Sequence, residues 1–595
     1  MSTFRRLLGF LRPYRRSVTW SFVLAGGAMG MTVLIPWLTG RAIDAIQVAH
    51  NNRAHHTGSL VILVVVIGVA GLLRLVLSVF RRLVAGRVSL GVELDLRNRL
   101  YGQLQRLELS FFDMQQTGQL MSRATVDLQA VRFYLGYGLI FIGQSVLTIA
   151  LAGVAMFLIR PELAALSLAP VPVVVLVARS YGRRSRPALQ EVQQRIGELT
   201  ADAEENISGV RVVKAFAQEP RQLERFRGST GRVFDQAIYA TRIEARYVPL
   251  ISFLPNLGLA AILLVGGREV IHGSLTLGQF TAFYAYLLML ISPMRTLGYM
   301  LSAAQRSTAS GARIFQILDR EPAMDDPVDA PALPPGDGHV VFSGVGLTFE
   351  GTRTPALEGV DLDVPAGRTV ALVGAMGSGK TALVSLLPRL YDVTEGSVTI
   401  DGADVREVDL ASLRHQIAVV TDDPFLFSAS VHENIAYGRP EASRDEVMSA
   451  ARAAQADAFI AALPNGYDTM IGERGLTLSG GQRQRIAIAR AIVTDPRILI
   501  LDDATSSVDA STEQEIKVAL RTVMAGRTTF IVAHRLSTIA LADEIVVLAD
   551  GTVAARGNHE QLLDESDLYR QIVEKGMPDQ VFLNRNPLEA GVAGL

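Results

Sequence analysis

The apolar run Ile498-Leu499-Ile500-Leu501, ending on Asp502-Asp503, constrains this chain more than any other stretch. It reads as a strand that delivers a carboxylate from its C-terminal end, the place where phosphate-transfer folds hold magnesium. Upstream stands Gly374-Ala375-Met376-Gly377-Ser378-Gly379-Lys380-Thr381, the G-x-x-x-x-G-K-[ST] phosphate loop. Gly374, Gly377 and Gly379 let backbone N–H groups turn onto phosphates, and the following helix offers its N-terminus. Lys380 supplies charge to the β- and γ-phosphates, and Thr381 a hydroxyl to Mg²⁺. β-branched content predicts further strands at Val340–Phe349, Val360–Val364 and Thr369–Val373. A phosphate loop alone leaves many nucleotidases open.

Between the two motifs lies Leu478-Ser479-Gly480-Gly481-Gln482, followed by a helix-period run into the Asp502 strand. Together these resemble the ATP-binding-cassette (ABC) ATPases, whose signature is LSGGQ. The resemblance implies ATP and Mg²⁺ as cofactors, with Asp502 as the carboxylate that holds magnesium through water. It implies that His534, in Ile531-Val532-Ala533-His534-Arg535, contacts the γ-phosphate. Phe349 falls where the family stacks adenine on an aromatic, usually Tyr; the other reading is a core aromatic. In this family Leu478 to Gln482 do not complete their own site but cap the γ-phosphate bound by the opposite subunit. Ser507-Val508-Asp509 corresponds to the loop that crosses the dimer interface, and Glu473 to a segment that meets the membrane domain. One chain has one ATPase, so the resemblance implies a dimer.

Two positions depart from the family pattern. After Asp502 the family has Glu, the general base that orients attacking water; here Asp503 stands. Losing one methylene withdraws the carboxylate by about 1.5 Å, and a misplacement of about 1 Å can cost on the order of 100-fold in rate. In Ala418-Val419-Val420-Thr421-Asp422, Asp422 occupies the place of a Gln that contacts Mg²⁺ and the same water. A carboxylate is an acceptor only; it can still ligate magnesium, yet it adds negative charge beside an anionic phosphate. With LSGGQ intact, the combination resembles the degenerate-site subunit of heterodimeric ABC exporters, paired with a second half-transporter that carries the catalytic Glu. The alternative is a homodimer that hydrolyses slowly through Asp503.

The N-terminal half is of another kind. Of the 595 residues 49% are hydrophobic and 19% charged, and apolar runs long enough to span a bilayer, about 20 residues each, recur six times. They cover about 18–38, 60–80, 133–159, 163–178, 248–267 and 277–301. Arginines crowd the approach to the first span (Arg5, Arg6, Arg12, Arg15, Arg16), the exit of the second (Arg81, Arg82, Arg87) and that of the fourth (Arg179, Arg183, Arg184, Arg186). The positive-inside bias therefore predicts a multi-pass protein of the cytoplasmic (inner) membrane, with the N-terminus and ATPase cytoplasmic and a Thr39–Ser59 loop outside. The Arg-rich start reads as an amphipathic helix on the membrane surface rather than a cleaved signal. The segments after the second and fourth spans keep helical period, with breaks at Phe112–Gly118 and Ser208-Gly209. SFFDMQQTGQLMSRATVD and ENISGVRVVKAFAQE resemble the two coupling regions of the ABC exporter membrane domain.

The expected organisation is a six-helix membrane domain over 1–322, a Pro/Asp/Gly linker over 323–338, an α/β P-loop ATPase over 339–575, and a tail over 576–595. The formal net charge of −1 gives no sign of a nucleic-acid partner. The chain has no cysteine, which excludes disulfides, thiolate metal sites and a cysteine nucleophile. Arg74 in the second span is either functional or snorkels. Phe141, Phe253, Phe283, Tyr284, Tyr286 and Met289 either line an apolar cavity or, for most of them, face lipid and core. Two functions stay open: ATP-driven export of hydrophobic or amphipathic small molecules (drugs or lipids), or a non-transporting ABC protein acting as a regulator or channel gate.

Overall fold

Among the described residues of the computed structural model, six helices are long and apolar enough to cross a membrane, and a two-sheet α/β domain follows them. The structure describes residues 3–51, 58–324, 329–472, 475, 478–503 and 510–576. Two compact units emerge: residues 1–105 with 118–320, and residues 106–117 with 321–595. The short helical segment at 106–117 thus clusters with the ATPase.

In the first unit a short helix α1 (Thr3–Gly9) precedes the span helices α2 (Arg15–Asn51) and α3 (Gly58–Arg106). The amphipathic start is not left to the membrane. Leu7 is 1% exposed in a core with Val88, Leu128 and Ile314, and the Arg6 guanidinium lies 3.8 Å from the Phe315 ring while bridging Asp319. Protein rather than lipid satisfies that apolar face.

The expected Thr39–Ser59 loop is also corrected, because α2 continues as helix to Asn51. Gly40 permits this by letting the Gly278 backbone approach, where a Cβ would meet the carbonyl oxygen at 2.5 Å. Asp44, one turn on, accepts hydrogen bonds from Thr276 Oγ1 and Gly278 N at 2.8 and 2.7 Å. It thereby caps the start of the last span helix.

After α4 (Leu109–Asp113) come α5 (Thr117–Ile159), α6 (Pro161–Ser208), α7 (Val210–Ala215), α8 (Glu219–Ile271) and α9 (Leu277–Leu318). The breaks near 112–117 and at Gly209 fall where the sequence places them. α7 buries none of its residues, and Val210 and Val212 are exposed. Of the candidate cavity residues, Phe283 and Tyr286 are core, with Tyr286 donating to Val33 O at 2.8 Å. Phe253 and Tyr284 are exposed, as is Arg74.

In the second unit an antiparallel sheet, ordered β2-β1-β4-β5, holds β1 (Val340–Leu347), β2 (Leu357–Val364), β4 (Glu395–Ile400) and β5 (Ala403-Asp404). The main sheet runs β10-β9-β3-β8-β7-β6. It is built from β3 (Thr369–Val373), β6 (Ile417–Val420), β7 (Ile498–Asp502), β8 (Thr528–Val532), β9 (Glu544–Ala549) and β10 (Thr552–Gly557). β3 and β8 are buried at every position, which is why they read as unbroken apolar or β-branched runs rather than alternating ones. β1 stops two residues before Phe349, because the Phe349 carbonyl turns to accept from Thr352 N and Oγ1 at 3.1 and 2.9 Å. The second half of the linker is fastened to this unit: Leu333 is buried, Leu333 N donates to Ser412 Oγ at 2.9 Å, and Pro334 O accepts from Arg497.

Candidate nucleotide site

Strand order assembles the site. β3 lies between β9 and β8, and β8 between β3 and β7; all of these pair in parallel, as does β6 with β7. Their C-terminal ends therefore share one edge, where open α/β sheets bind ligands. The phosphate loop leaves β3, His534 follows β8, Asp502 ends β7, and Asp422 follows β6. Residues more than a hundred positions apart are thus set within a few strand spacings.

The loop is shaped as a cradle for an anion. Gly377 and Gly379 have φ of +81° and +99°, left-handed values that a side chain resists. At Gly374 a Cβ would meet Leu548 O at 2.3 Å. The helix α10 (Lys380–Ser385) starts directly behind it. Ser378 Oγ is buried with no hydrogen-bond partner, the kind of orphaned group that a phosphate oxygen would satisfy. Lys380 is 5% exposed, and its Nζ donates to Gly374 O and Ala375 O at 2.9 and 2.8 Å. Burial lowers its pKa, and the nearby Asp502 and Asp503 charges pull it back up.

A cavity of about 530 Å³ opens over this cradle. Phe349, Met376 to Thr381, Asp502 and His534 all line it. Thr381 Oγ1 sits 3.4 Å from Asp502 Oδ1, which brings together the hydroxyl and carboxylate suited to a magnesium ion that keeps most of its ligands as water and phosphate. These residues fit ATP with a divalent cation. Burial raises the Asp502 pKa; Thr381 lowers it again, and the charges of Asp503 and Asp422 raise it further. Asp503 and Asp422 are thus close enough for Asp502 to feel both. Asp503 has φ of +50° and donates its N–H to Val532 O at 3.1 Å.

The signature has its own local logic. Ser479 caps the helix α11 (Gly480–Val493): its hydroxyl accepts from Gln482 N, and Gln482 Oε1 accepts from Ser479 N at 2.9 Å. Read this way, S-G-G-Q is a capping box. Leu478 is buried in the core behind it, Ser479 is exposed, and Gly481 is buried. This helix N-terminus, with its positive dipole end, is not among the groups lining the Lys380 cavity. Gln484 donates to Thr421 O at 3.2 Å, and Arg483 lies 3.6 Å from Asp423, which ties α11 to the Asp422 loop. Asp509 and Glu473 lie outside the described residues.

Sequence reading missed one aromatic. Tyr391 lines the cavity and meets Phe349 edge-on at 5.1 Å, and its hydroxyl donates to Asp113 of α4 at 2.6 Å. Burial and that carboxylate both raise its pKa. Leu109, also on α4, joins the lining.

Residues 18–294 match the ABC transporter transmembrane region, and residues 357–506 match the ABC transporter family. The chain is 37% identical over 591 residues to the ABC transporter ATP-binding protein YknU of Bacillus subtilis (strain 168), covering 99% of this chain and all of that one. The chain belongs to the ABC transporter family. This half-transporter is also 38% identical over 574 residues to an ATP-dependent lipid A-core flippase of Syntrophus aciditrophicus (strain SB), covering 96% of this chain and 94% of that one. With the multidrug efflux protein Rv0194 of Mycobacterium tuberculosis it shares 38% identity over 99% of its own length and 49% of that protein's. Its backbone matches the structure of a bacterial Atm1-family ABC exporter with ATP bound, at a TM-score of 0.77 and 31% identity, covering 94% of this chain and 98% of that one. It is a multi-pass membrane protein of exporter fold, in which an ATP-binding ATPase domain couples hydrolysis to transport.

Proposed function

We propose that this half-transporter exports hydrophobic or amphipathic molecules across the cytoplasmic membrane as the weakly hydrolysing partner of a pair. One observation supports the asymmetry above all. The charges of Asp422 and Asp503 both act on Asp502, the carboxylate that lines the cavity, while the Ser479 capping box that would serve the opposite site is intact.

In this reading the N–H groups of Gly377 and Gly379, with Lys380, hold the phosphates, and Phe349 faces the base. Thr381 and Asp502 would hold Mg²⁺, which would neutralise charge on the phosphates. Asp503 reaches short of the water that a Glu would orient, and Asp422 cannot donate to it. Ser479 and the first N–H groups of α11 close over the partner's γ-phosphate. A relative twice this length, matched over 49% of its chain, supports a working unit of two such halves. A homodimer hydrolysing slowly through Asp503 is the second reading, favoured by a carboxylate that still lies beside Asp502.

The cargo class follows from relatives named for lipid A-core and multidrug transport. ATP-dependent accumulation of a lipophilic dye in inverted vesicles containing the pair is the expected result, absent with Lys380→Ala in this chain. Uptake that ignores ATP would leave a regulator or channel gate instead.

Topology has its own test, clean because the chain has no cysteine. Ser59 and Asp337 are both exposed. Ser59→Cys should react with an impermeant maleimide in intact cells, and Asp337→Cys only after lysis. External labelling at 337 would reverse the orientation.

A further inference from the structure

A second, smaller cavity of the ATPase domain is walled by cations. It measures about 160 Å³, and Arg414, His415, Arg490 and Thr494 form its polar lining. No carboxylate lines it. Arg414 and His415 end the helix Leu410–His415, and Arg490 stands in the last turn of α11. Ala418 and Val419 of β6 form part of the remaining wall. β6 is the outermost strand of its sheet, and an edge strand presents N–H groups that its sheet does not pair. Gly438 lets the turn Ala436–Gly438 close against the end of α11, where a Cβ would meet Thr494 Cγ2 at 2.4 Å.

Cations at helix C-termini ordinarily answer the helix dipole. That accounts for only part of Arg490, whose full charge is about twice the −0.5 that one helix end offers. Nor does an acid take up the rest. Arg490 is half-buried, and it donates to Asn434 O, Asn434 Oδ1 and Phe425 O at 2.8, 3.2 and 3.2 Å. Burial lowers its pKa, and among the described residues no carboxylate offsets that. Arg414 donates to Pro388 O and Arg389 O at 3.0 and 2.9 Å, which fixes a second guanidinium on the same cavity. Hydrogen bonds from such groups to an anion are roughly twice as strong as those to neutral oxygens.

We propose that this cavity binds a phosphate group, held between the guanidinium groups of Arg414 and Arg490 and by N–H groups of the β6 edge. Planar guanidinium forks match phosphate oxygens. A volume below the roughly 300–1,000 Å³ of ordinary small-molecule sites admits a phosphate but not a nucleotide. The neighbouring site provides the anion. Val419 lines both this cavity and the nucleotide cavity, and ATP hydrolysis releases inorganic phosphate. Arg490 also holds Phe425 O, three residues beyond Asp422, so occupancy acts on the loop that carries Asp422. The site goes beyond the export reading and does not depend on it.

The test uses the full chain in phosphatidylcholine nanodiscs, with Lys380→Ala to weaken phosphate binding in the nucleotide cradle. Equilibrium dialysis against radiolabelled inorganic phosphate should show saturable binding of about one phosphate per chain. Arg490→Gln in that background should weaken it at least about tenfold, the scale of one charge-assisted hydrogen bond. Arg414→Gln, at an exposed position, should do the same with an unchanged unfolding temperature, and Arg414→Lys should keep most of the affinity. Phenyl phosphate that displaces the label as well as unlabelled phosphate does would support an esterified phosphate as the ligand. Failure to displace it would support free phosphate. No saturable binding in the Lys380→Ala chain, or affinity within about twofold of it in both glutamine variants, would overturn the site. A loss confined to Arg490→Gln, with a lower unfolding temperature, would overturn it too, by marking Arg490 as a structural tie.

Discussion

Lys380→Ala is expected to weaken ATP binding to this chain on the order of 10²- to 10⁴-fold, as the loss of two charge-assisted hydrogen bonds at about 1.5–3 kcal/mol each implies. The ammonium already sits inside the loop on Gly374 O and Ala375 O, so phosphate oxygens meet a cation held in place. Burial lowers the Lys380 pKa, and the charges of Asp502 and Asp503 oppose that shift. Alanine removes the ammonium charge and leaves the Asp502 carboxylate facing a polyanion. Isothermal titration with ATP and Mg²⁺ measures the loss, and an unchanged far-ultraviolet spectrum separates it from unfolding. Affinity within threefold of wild type would show that the backbone cradle holds the nucleotide without the lysine.

Much of this was legible in the sequence because it is local. The buried strand β3, the glycines at positive φ and the Ser479–Gln482 box each depend on neighbours a few residues away. Six spans follow from hydropathy alone. What escaped depends on distant partners. Nothing near Tyr391 announces that its hydroxyl meets Asp113, some 278 positions earlier. The docking of Leu7 against residues of three other helices replaces a membrane contact that periodicity suggests equally well. α2 outruns its apolar stretch because Asp44 finds Thr276 and Gly278, a pairing that hydropathy does not encode. The environment of Arg490 belongs to the same group: its charge is visible in sequence, but the neutral oxygens it meets are not.

The second large effect concerns the carboxylates, and it separates a chain that hydrolyses weakly by design from one that is merely slow. Asp503→Glu restores the missing methylene and recovers up to the roughly 100-fold that misplacement costs. The gain should be partial, for two reasons. Position 503 has φ of +50°, where Asp is tolerated better than longer side chains. Asp422 also still places an acceptor where the family has a donor, and its charge raises the Asp502 pKa. Asp422→Gln alone supplies the donor and lifts that charge, but leaves the water out of reach. The double variant Asp503→Glu with Asp422→Gln should therefore exceed both single variants in hydrolysis at this site. Asp503→Asn, by contrast, should change turnover of the pair little. Ser479→Arg should abolish most of it, because a bulky cation would displace the hydroxyl that caps α11 from the partner's γ-phosphate. Phosphate release by each variant, assembled with a wild-type partner, reads all five. A pair silenced by Asp503→Asn but active with Ser479→Arg would mean that this chain holds the competent site, with its partner in the supporting role.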